Sequence, residues 1–211
     1  MIEIHPAILA HSEQEFIKKL AGVRTLDAPL HIDVMDGVFV NNTTWAPPER
    51  MKELLMGAAF EAHLMVSNPE KVIPAWFAAG ARRVIFHAEA GTHDTRICRA
   101  PAEQCTKLSV AINPDTQLID IAEEIETIPH VCMMGVTPGW GGRTFEGTVL
   151  EKITTMKTLH PSIVITVDGG VKPENARMLI DAGAEILVVG SAITDTDDPA
   201  AAYQSFKEAL T

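Results

Sequence analysis

Short β-branched or apolar runs alternate with longer helical patterns from one end of this chain to the other, and no linker interrupts them. That order leaves few architectures, because strands that alternate with helices pair in parallel, with the helices as crossovers. Residues 4–9 read as the first strand. Ser12, with Glu15 three residues on, forms a capping-box signature before the helical run 16–20. Leu30–Met35 then precedes a helix opened by Pro48, residues 60–66 a helix after Asn68-Pro69, and residues 84–87 a helix starting near Asp94, within which Pro101 must end, kink or restart the turn. In the second half residues 109–112 precede a helix over 118–125, and residues 131–136 precede Val149–Leu159. Residues 163–167 precede Pro173–Ala182, and Ile186–Val189 leads to a last helix ending at Leu210. No two strands are spaced as a hairpin. Eight βα units in 211 residues predict a single-domain α/β fold over 1–211, a (β/α)8 TIM barrel rather than an open doubly wound sheet.

Composition narrows the function classes. The chain is 46% hydrophobic and 21% charged, enough apolar surface for a globular core. A net charge of −11 without long single-sign blocks argues against nucleic acid or an anionic membrane surface as partner. It leaves room for a phosphorylated small molecule, which backbone N–H groups at glycine turns and helix N-termini can bind locally. The apolar runs fall short of the roughly 18 residues of a membrane span, and the first residues lack a signal pattern, so a cytoplasmic protein is expected. Cys98, Cys105 and Cys132 form no CxxC pair and read as reduced, small buried hydrophobes.

In a barrel of this kind the chemistry lies at the C-terminal ends of the strands. Strand alternation turns His31, Asp33 and Met35 to one side, and His63 and Met65 share a side on the next strand. Strand seven ends in Val167-Asp168-Gly169-Gly170, adding a second carboxylate at the rim. Two histidines and two aspartates on three strands can converge on one divalent cation. Separate hydrogen-bonded interior polar groups are the plainer account of any one of them. For all four together it would cost several kcal/mol without a common partner. Glycine-bearing loops follow the last three strands: Pro138-Gly139-Trp140-Gly141-Gly142, Gly169-Gly170 and Gly190-Ser191. Three such loops at one rim favour phosphate binding, since glycine lets the backbone approach an anion closely.

The strings HIDVMDGVFVNN, AHLMVSNPEK, IFHAE, AINPDT, MGVTPGWGGRTF, TVDGG and VVGSAI, in this order, resemble the ribulose-phosphate 3-epimerase family of pentulose and hexulose phosphate 3-epimerases. The resemblance runs from His5 to about Ile193. It implies a barrel of the ribulose-phosphate-binding type that interconverts D-ribulose 5-phosphate and D-xylulose 5-phosphate. It assigns His31, Asp33, His63 and Asp168 as ligands of one divalent cation, zinc first, with iron, manganese or cobalt as alternatives. Asp33 and Asp168 would also be the two catalytic acid/base groups. Met35, Met65 and Met134 would border the reacting carbons, with His63 also beside the substrate. Gly139, Trp140, Gly141, Gly142, Gly169, Gly170, Gly190 and Ser191 would form the substrate and phosphate loops. A homo-oligomer, dimer or hexamer, is implied as well.

The chemistry agrees with that assignment. Epimerising a carbon beside a carbonyl removes a proton from one face and delivers one to the other, so two acid/base groups on opposite sides are needed. Some positions depart from the family pattern. Ala7 stands where a substrate-contacting serine is usual, Val38 and Asn41 replace a histidine and a proline, Arg143 replaces a glutamine, and Trp140 a phenylalanine. These leave the metal and proton-transfer groups intact but surround the sugar differently. Two alternatives therefore stand beside the ribulose 5-phosphate reading: an epimerase of a different ketose phosphate, or a non-catalytic sugar-phosphate-binding barrel. A related decarboxylase or aldolase is disfavoured, because the HIDVMDG segment carries no lysine for a DxKxxD pattern.

Overall fold

The computed structural model of the chain describes residues 2–90, 105–142 and 144–211. Its eight strands are β1 (Glu3–Ile8), β2 (Leu30–Met35), β3 (Phe60–Met65), β4 (Arg83–His87), β5 (Leu108–Ile112), β6 (His130–Met134), β7 (Val164–Asp168) and β8 (Ile186–Val189). Each pairs in parallel with its sequence neighbours, and β8 returns to β1, so the sheet closes into the expected barrel. Strand ends differ from the sequence reading by a residue or two. The helix expected near Asp94, with Pro101, lies outside the described residues, as do Cys98 and Arg143.

The connecting helices are α1 (Glu13–Val23), α2 (Pro48–Leu54), α3 (Pro69–Ala79), α4 (Val149–Leu159), α5 (Pro173–Ala182), α6 (Ser191–Thr194) and α7 (Pro199–Ala209). Prolines open α2, α3, α5 and α7, where a missing N–H costs nothing. At α1 the Ser12 Oγ accepts from the Glu15 N–H at 3.2 Å, while the Glu15 carboxylate accepts from His11 N–H at 2.8 Å, one residue before the position a strict capping box would use. Phe16, Leu20 and Val23, spaced for one helical face, are buried on the barrel wall. None of the described helices is long and apolar enough to cross a membrane.

The helix expected over 118–125 is corrected. Two short 3-10 turns, Leu118–Ile121 and Glu124–Glu126, connect β5 to β6 instead. Ile119, Ile121 and Ile125 are β-branched and favour an α-helix weakly. The first turn is fixed by Asp120, whose carboxylate accepts from the Gln117 N–H at 3.0 Å.

Register sets which side chains meet inside the barrel. His31 pairs with Glu61, Asp33 with His63 and Met35 with Met65; Ala7 lies opposite His31, and Asp168 lies between Met134 and Val188. Outward residues of the same strands, such as Ile32, Leu64, Val110 and Leu187, join the large apolar layer under the helices. Inside, Ile85, Ala111, Cys132 and Met134 form a small apolar wall. Met35 and Met65 belong to another small apolar cluster, and the polar side chains His5, His31, Glu61, His63, His87, Ser109 and Thr166 are all fully buried or nearly so. Buried polar groups require partners, so this interior must be organised as a network.

Candidate active site

On the inward side of β2, β3 and β7, ligand atoms of His31, Asp33, His63 and Asp168 all lie within 4.8 Å of one another. His31 Nε2 is 3.5 Å from both Asp33 Oδ1 and Asp168 Oδ2; His63 Nδ1 is 3.3 Å from the former and 3.0 Å from the latter. The approaches are close, but their alignment is not that of hydrogen bonds: His31 Nε2, Asp33 Oδ1 and His63 Nδ1 are buried without a hydrogen-bond partner. Such orphaned atoms, two imidazole nitrogens and a carboxylate oxygen turned to one point, fit a divalent cation. The charge state fits too. Burial would lower the His31 pKa, but Asp168, Asp33 and Glu61 outweigh it and hold it well above its ordinary value. His63 is raised in the same way, against burial, by Asp168 and Asp33. Burial would raise both aspartates, yet His31 and His63 hold Asp33 and Asp168 below the usual carboxylate range. The histidines and carboxylates thus favour each other's charged forms, and a divalent cation seated among them would take over the positive charge that the two carboxylates attract.

Three further side chains, which reading the strands from the sequence had left out, support this cluster. Glu61 Oε1 accepts from His31 Nδ1 and from His5 Nδ1, each at 2.9 Å, and its Oε2 accepts from Arg83 at 3.1 Å. Burial opposes the Glu61 charge, but the two histidines hold its pKa well below the ordinary value. With its Nδ1 hydrogen given to Glu61, His31 turns its Nε2 towards the cluster. On the other flank His63 Nε2 meets His87 Nε2 at 3.0 Å, and His87 Nδ1 meets Glu89 Oε2 at 3.1 Å. Part of the signal was available: Glu61 lies two residues before His63, so strand alternation puts that pair on one side, whereas Glu89 lies in the turn beyond β4.

Above the cluster opens a cavity of about 410 Å³. Asp33 and Asp168 line it together with Met35, Met65 and Met134, as do Gly139, Trp140, Gly141, Gly142, Gly169, Gly170, Gly190 and Ser191. His31 and His63 are fully buried and do not line it. Gly170 has φ +69°, and a Cβ there would stand 2.6 Å from the Phe145 nitrogen, so only glycine fits without strain. Among the described residues, neither the Gly142 nor the Gly170 N–H donates to a protein acceptor. Gly135, which the sequence reading passed over, packs so closely that a Cβ would stand 2.2 Å from the Gly169 oxygen. Its N–H donates to the Asp168 carbonyl at 2.6 Å, anchoring that strand end. Ala7 lines the cavity without a polar side-chain atom, Trp140 is half exposed at its rim, and Val38 is 76% exposed. Asn42 Nδ2 donates to the Gly139 carbonyl at 2.7 Å, joining the loops after β2 and β6.

Residues 3–194 match the ribulose-phosphate 3-epimerase family. The chain belongs to that family. By that membership it is an isomerase. Among its curated relatives, the ribulose-phosphate 3-epimerase of Bacillus subtilis is 36% identical, over 94% of both chains. That of Aquifex aeolicus is 36% identical over 86% of this chain and 84% of its own. Similar solved structures include a 3-hexulose-6-phosphate synthase, TM-score 0.73 at 18% identity over the whole of both chains. Another is the orotidine 5'-monophosphate decarboxylase of Sulfolobus solfataricus, TM-score 0.66 at 14% identity, covering 100% of this chain and 98% of that one. At such identities these two share the barrel fold, whereas the family membership rests on the epimerases.

Proposed function

We propose that this chain is a divalent-cation-dependent 3-epimerase that interconverts D-ribulose 5-phosphate and D-xylulose 5-phosphate. The observation that carries the proposal is the placement of Asp33 and Asp168. They come from β2 and β7, line the same cavity and approach the same pair of histidines. One carboxylate removes the C3 proton of the bound sugar, and the other delivers a proton to the opposite face of the same carbon. The sulfur and methyl groups of Met35, Met65 and Met134 surround the reacting carbons with a weakly polar wall, which keeps water away from the carbanionic face.

His31, Asp33, His63 and Asp168 would hold the cation, and their N2O2 donor set suits zinc first, with iron, manganese and cobalt as alternatives. When bound, the cation would stabilise negative charge developing on the substrate's two oxygens. The phosphate would lie among the backbone N–H groups of Gly142, Gly170, Gly190 and Ser191, which line the same cavity. Binding energy from that remote group positions C3 between the carboxylates.

Ala7 favours a second reading, an epimerase of a different pentulose or hexulose phosphate, because it removes one hydrogen-bonding contact at the sugar. A panel of ketose phosphates, each incubated with the zinc- and manganese-loaded protein and followed by proton NMR, separates the readings. Conversion of ribulose 5-phosphate with the highest kcat/KM supports the first. A hexulose phosphate turning over faster supports the second, and no conversion of any member rejects both.

A further inference from the structure

The four-residue cluster leaves one question open: what keeps the His63 Nδ1 atom free of a proton when a cation is to bind there. The answer lies on β4 and in the turn after it. Glu89 Oε1 already accepts from the Asn113 N–H at 2.7 Å and from the Thr116 hydroxyl, so its orientation is fixed and Oε2 alone faces His87. An ionised carboxylate only accepts, so the Nδ1 of His87 must carry the hydrogen. A neutral imidazole then has only a lone pair at Nε2, and that atom lies 3.0 Å from His63 Nε2. Two lone pairs would repel, so His63 must hold its hydrogen at Nε2. The two ring planes are only 18° apart, and centroids 5.1 Å apart place the rings edge to edge, as an N–H···N bond requires; the Phe39 ring centroid lies 4.8 Å from that of His87, which limits its freedom to turn.

We propose that His87 and Glu89 are positioning residues that pin the His63 hydrogen at Nε2 and so direct the Nδ1 lone pair to the cation. The assignment rests on the metal reading above and deepens it. It gives His63 what Glu61 gives His31, an outer hydrogen bond that selects the ligating nitrogen. The Glu89 position is discriminating because Glu89→Gln changes only one atom. The amide oxygen would stay with Asn113 and Thr116, which both donate, and its NH2 would face His87 Nδ1. His87 would then become the acceptor at Nδ1 and carry its hydrogen at Nε2, pointing it at His63 Nε2–H. One of the two hydrogens must leave, and the pair that holds His63 in its ligating tautomer is broken.

The test measures cobalt(II) affinity by visible absorption in competition with a chelator, on full-length parent, Glu89→Gln, His87→Leu and His87→Gln proteins, alongside metal-free melting temperatures. Two-bond proton–nitrogen NMR of the zinc-loaded proteins reports the imidazole tautomers. The parent should show His87 with its hydrogen at Nδ1, and Glu89→Gln should move it to Nε2. Glu89→Gln and His87→Leu should bind cobalt roughly 10–100-fold more weakly. His87→Gln, whose amide oxygen can accept from His63 Nε2–H, should stay within a few-fold of the parent. A purely structural role would lower the melting temperatures but leave His87→Gln no better than His87→Leu, and that result overturns the assignment. So does a parent His87 protonated at both nitrogens, or a Glu89→Gln protein that binds cobalt as the parent does. A parent that binds no cobalt overturns the metal reading itself and this role with it, a result distinguishable from equal binding by all four proteins.

Discussion

His63 Nδ1 and Asp168 Oδ2 lie 3.0 Å apart across the mouth of the barrel, joining a residue of β3 to one of β7. The two strands are not paired; they stand opposite each other in the barrel, with β4, β5 and β6 between them one way round and β8, β1 and β2 the other. Only closure of the sheet brings the second carboxylate over the histidines of the first half. Catalysis by the two carboxylates therefore depends on a relationship that spans the whole fold.

Replacing Asp33 or Asp168 by asparagine keeps the size of the side chain but removes a base, so epimerisation should fall by about 10²–10⁴-fold or more. Each variant's metal content is to be measured with its rate, because both carboxylates belong to the proposed ligand set. A variant that retains metal and near-parental turnover would falsify the two-carboxylate scheme.

Cation uptake should release protons, because the neighbouring carboxylates raise the His31 and His63 pKa values and so favour protons that a ligating nitrogen must give up. Chelator-treated protein should lose activity and recover it with zinc, manganese or cobalt. Titration calorimetry in buffers of different ionisation enthalpy should show proton release on zinc binding. Full activity in rigorously metal-free protein would contradict this.

Gly170→Ala should raise KM for the phosphorylated substrate by roughly tenfold or more. The new methyl requires the loop to shift from φ +69° and away from Phe145, moving the N–H offered to the phosphate. It should also lower stability by about 1–2 kcal/mol. Steady-state kinetics with the phosphorylated and unphosphorylated ketose decide the matter: the unphosphorylated sugar should react poorly with both proteins and show little further loss in the variant.

How much of this was legible beforehand differs by element. His31, Asp33 and Met35 could be placed on one side of β2 from alternation alone, and Asp168 at a strand end from the Asp-Gly-Gly that follows it. Closure of eight strands followed from counting units. Glu61, His87 and Glu89 were missed because their value is relational. His87 matters through its diagonal place two residues beyond Ile85, the register partner of His63, and through the 3.0 Å contact between rings, and alternation on a single strand does not reveal that. The 118–125 segment misled because its apolar spacing suits a helix, whereas its β-branched residues settle into two 3-10 turns.

His130 offers a prediction on stability rather than activity. Burial, reinforced by the Arg83 charge, pushes its pKa down to about 4, against roughly 6.5 for an unfolded histidine. Between those values the unfolded chain binds a proton that the folded chain refuses, so stability falls as pH drops from about 6.5 to 4. The side chain is partly exposed, and screening reduces the effect to the order of 1–2 kcal/mol. His130→Gln should lose that part of the acid sensitivity. Denaturant unfolding at pH 7 and pH 4.5 checks it; an unchanged difference between the two pH values would refute it.

The central claim, that two carboxylates on opposite faces exchange the C3 proton, is tested most directly by running the reaction in D2O with ribulose 5-phosphate and the cation-loaded protein. Proton NMR should show xylulose 5-phosphate formed with deuterium at C3, because the delivering carboxylate draws its proton from solvent and not from the substrate. Xylulose 5-phosphate that forms while keeping the substrate's own proton at C3 would contradict the account.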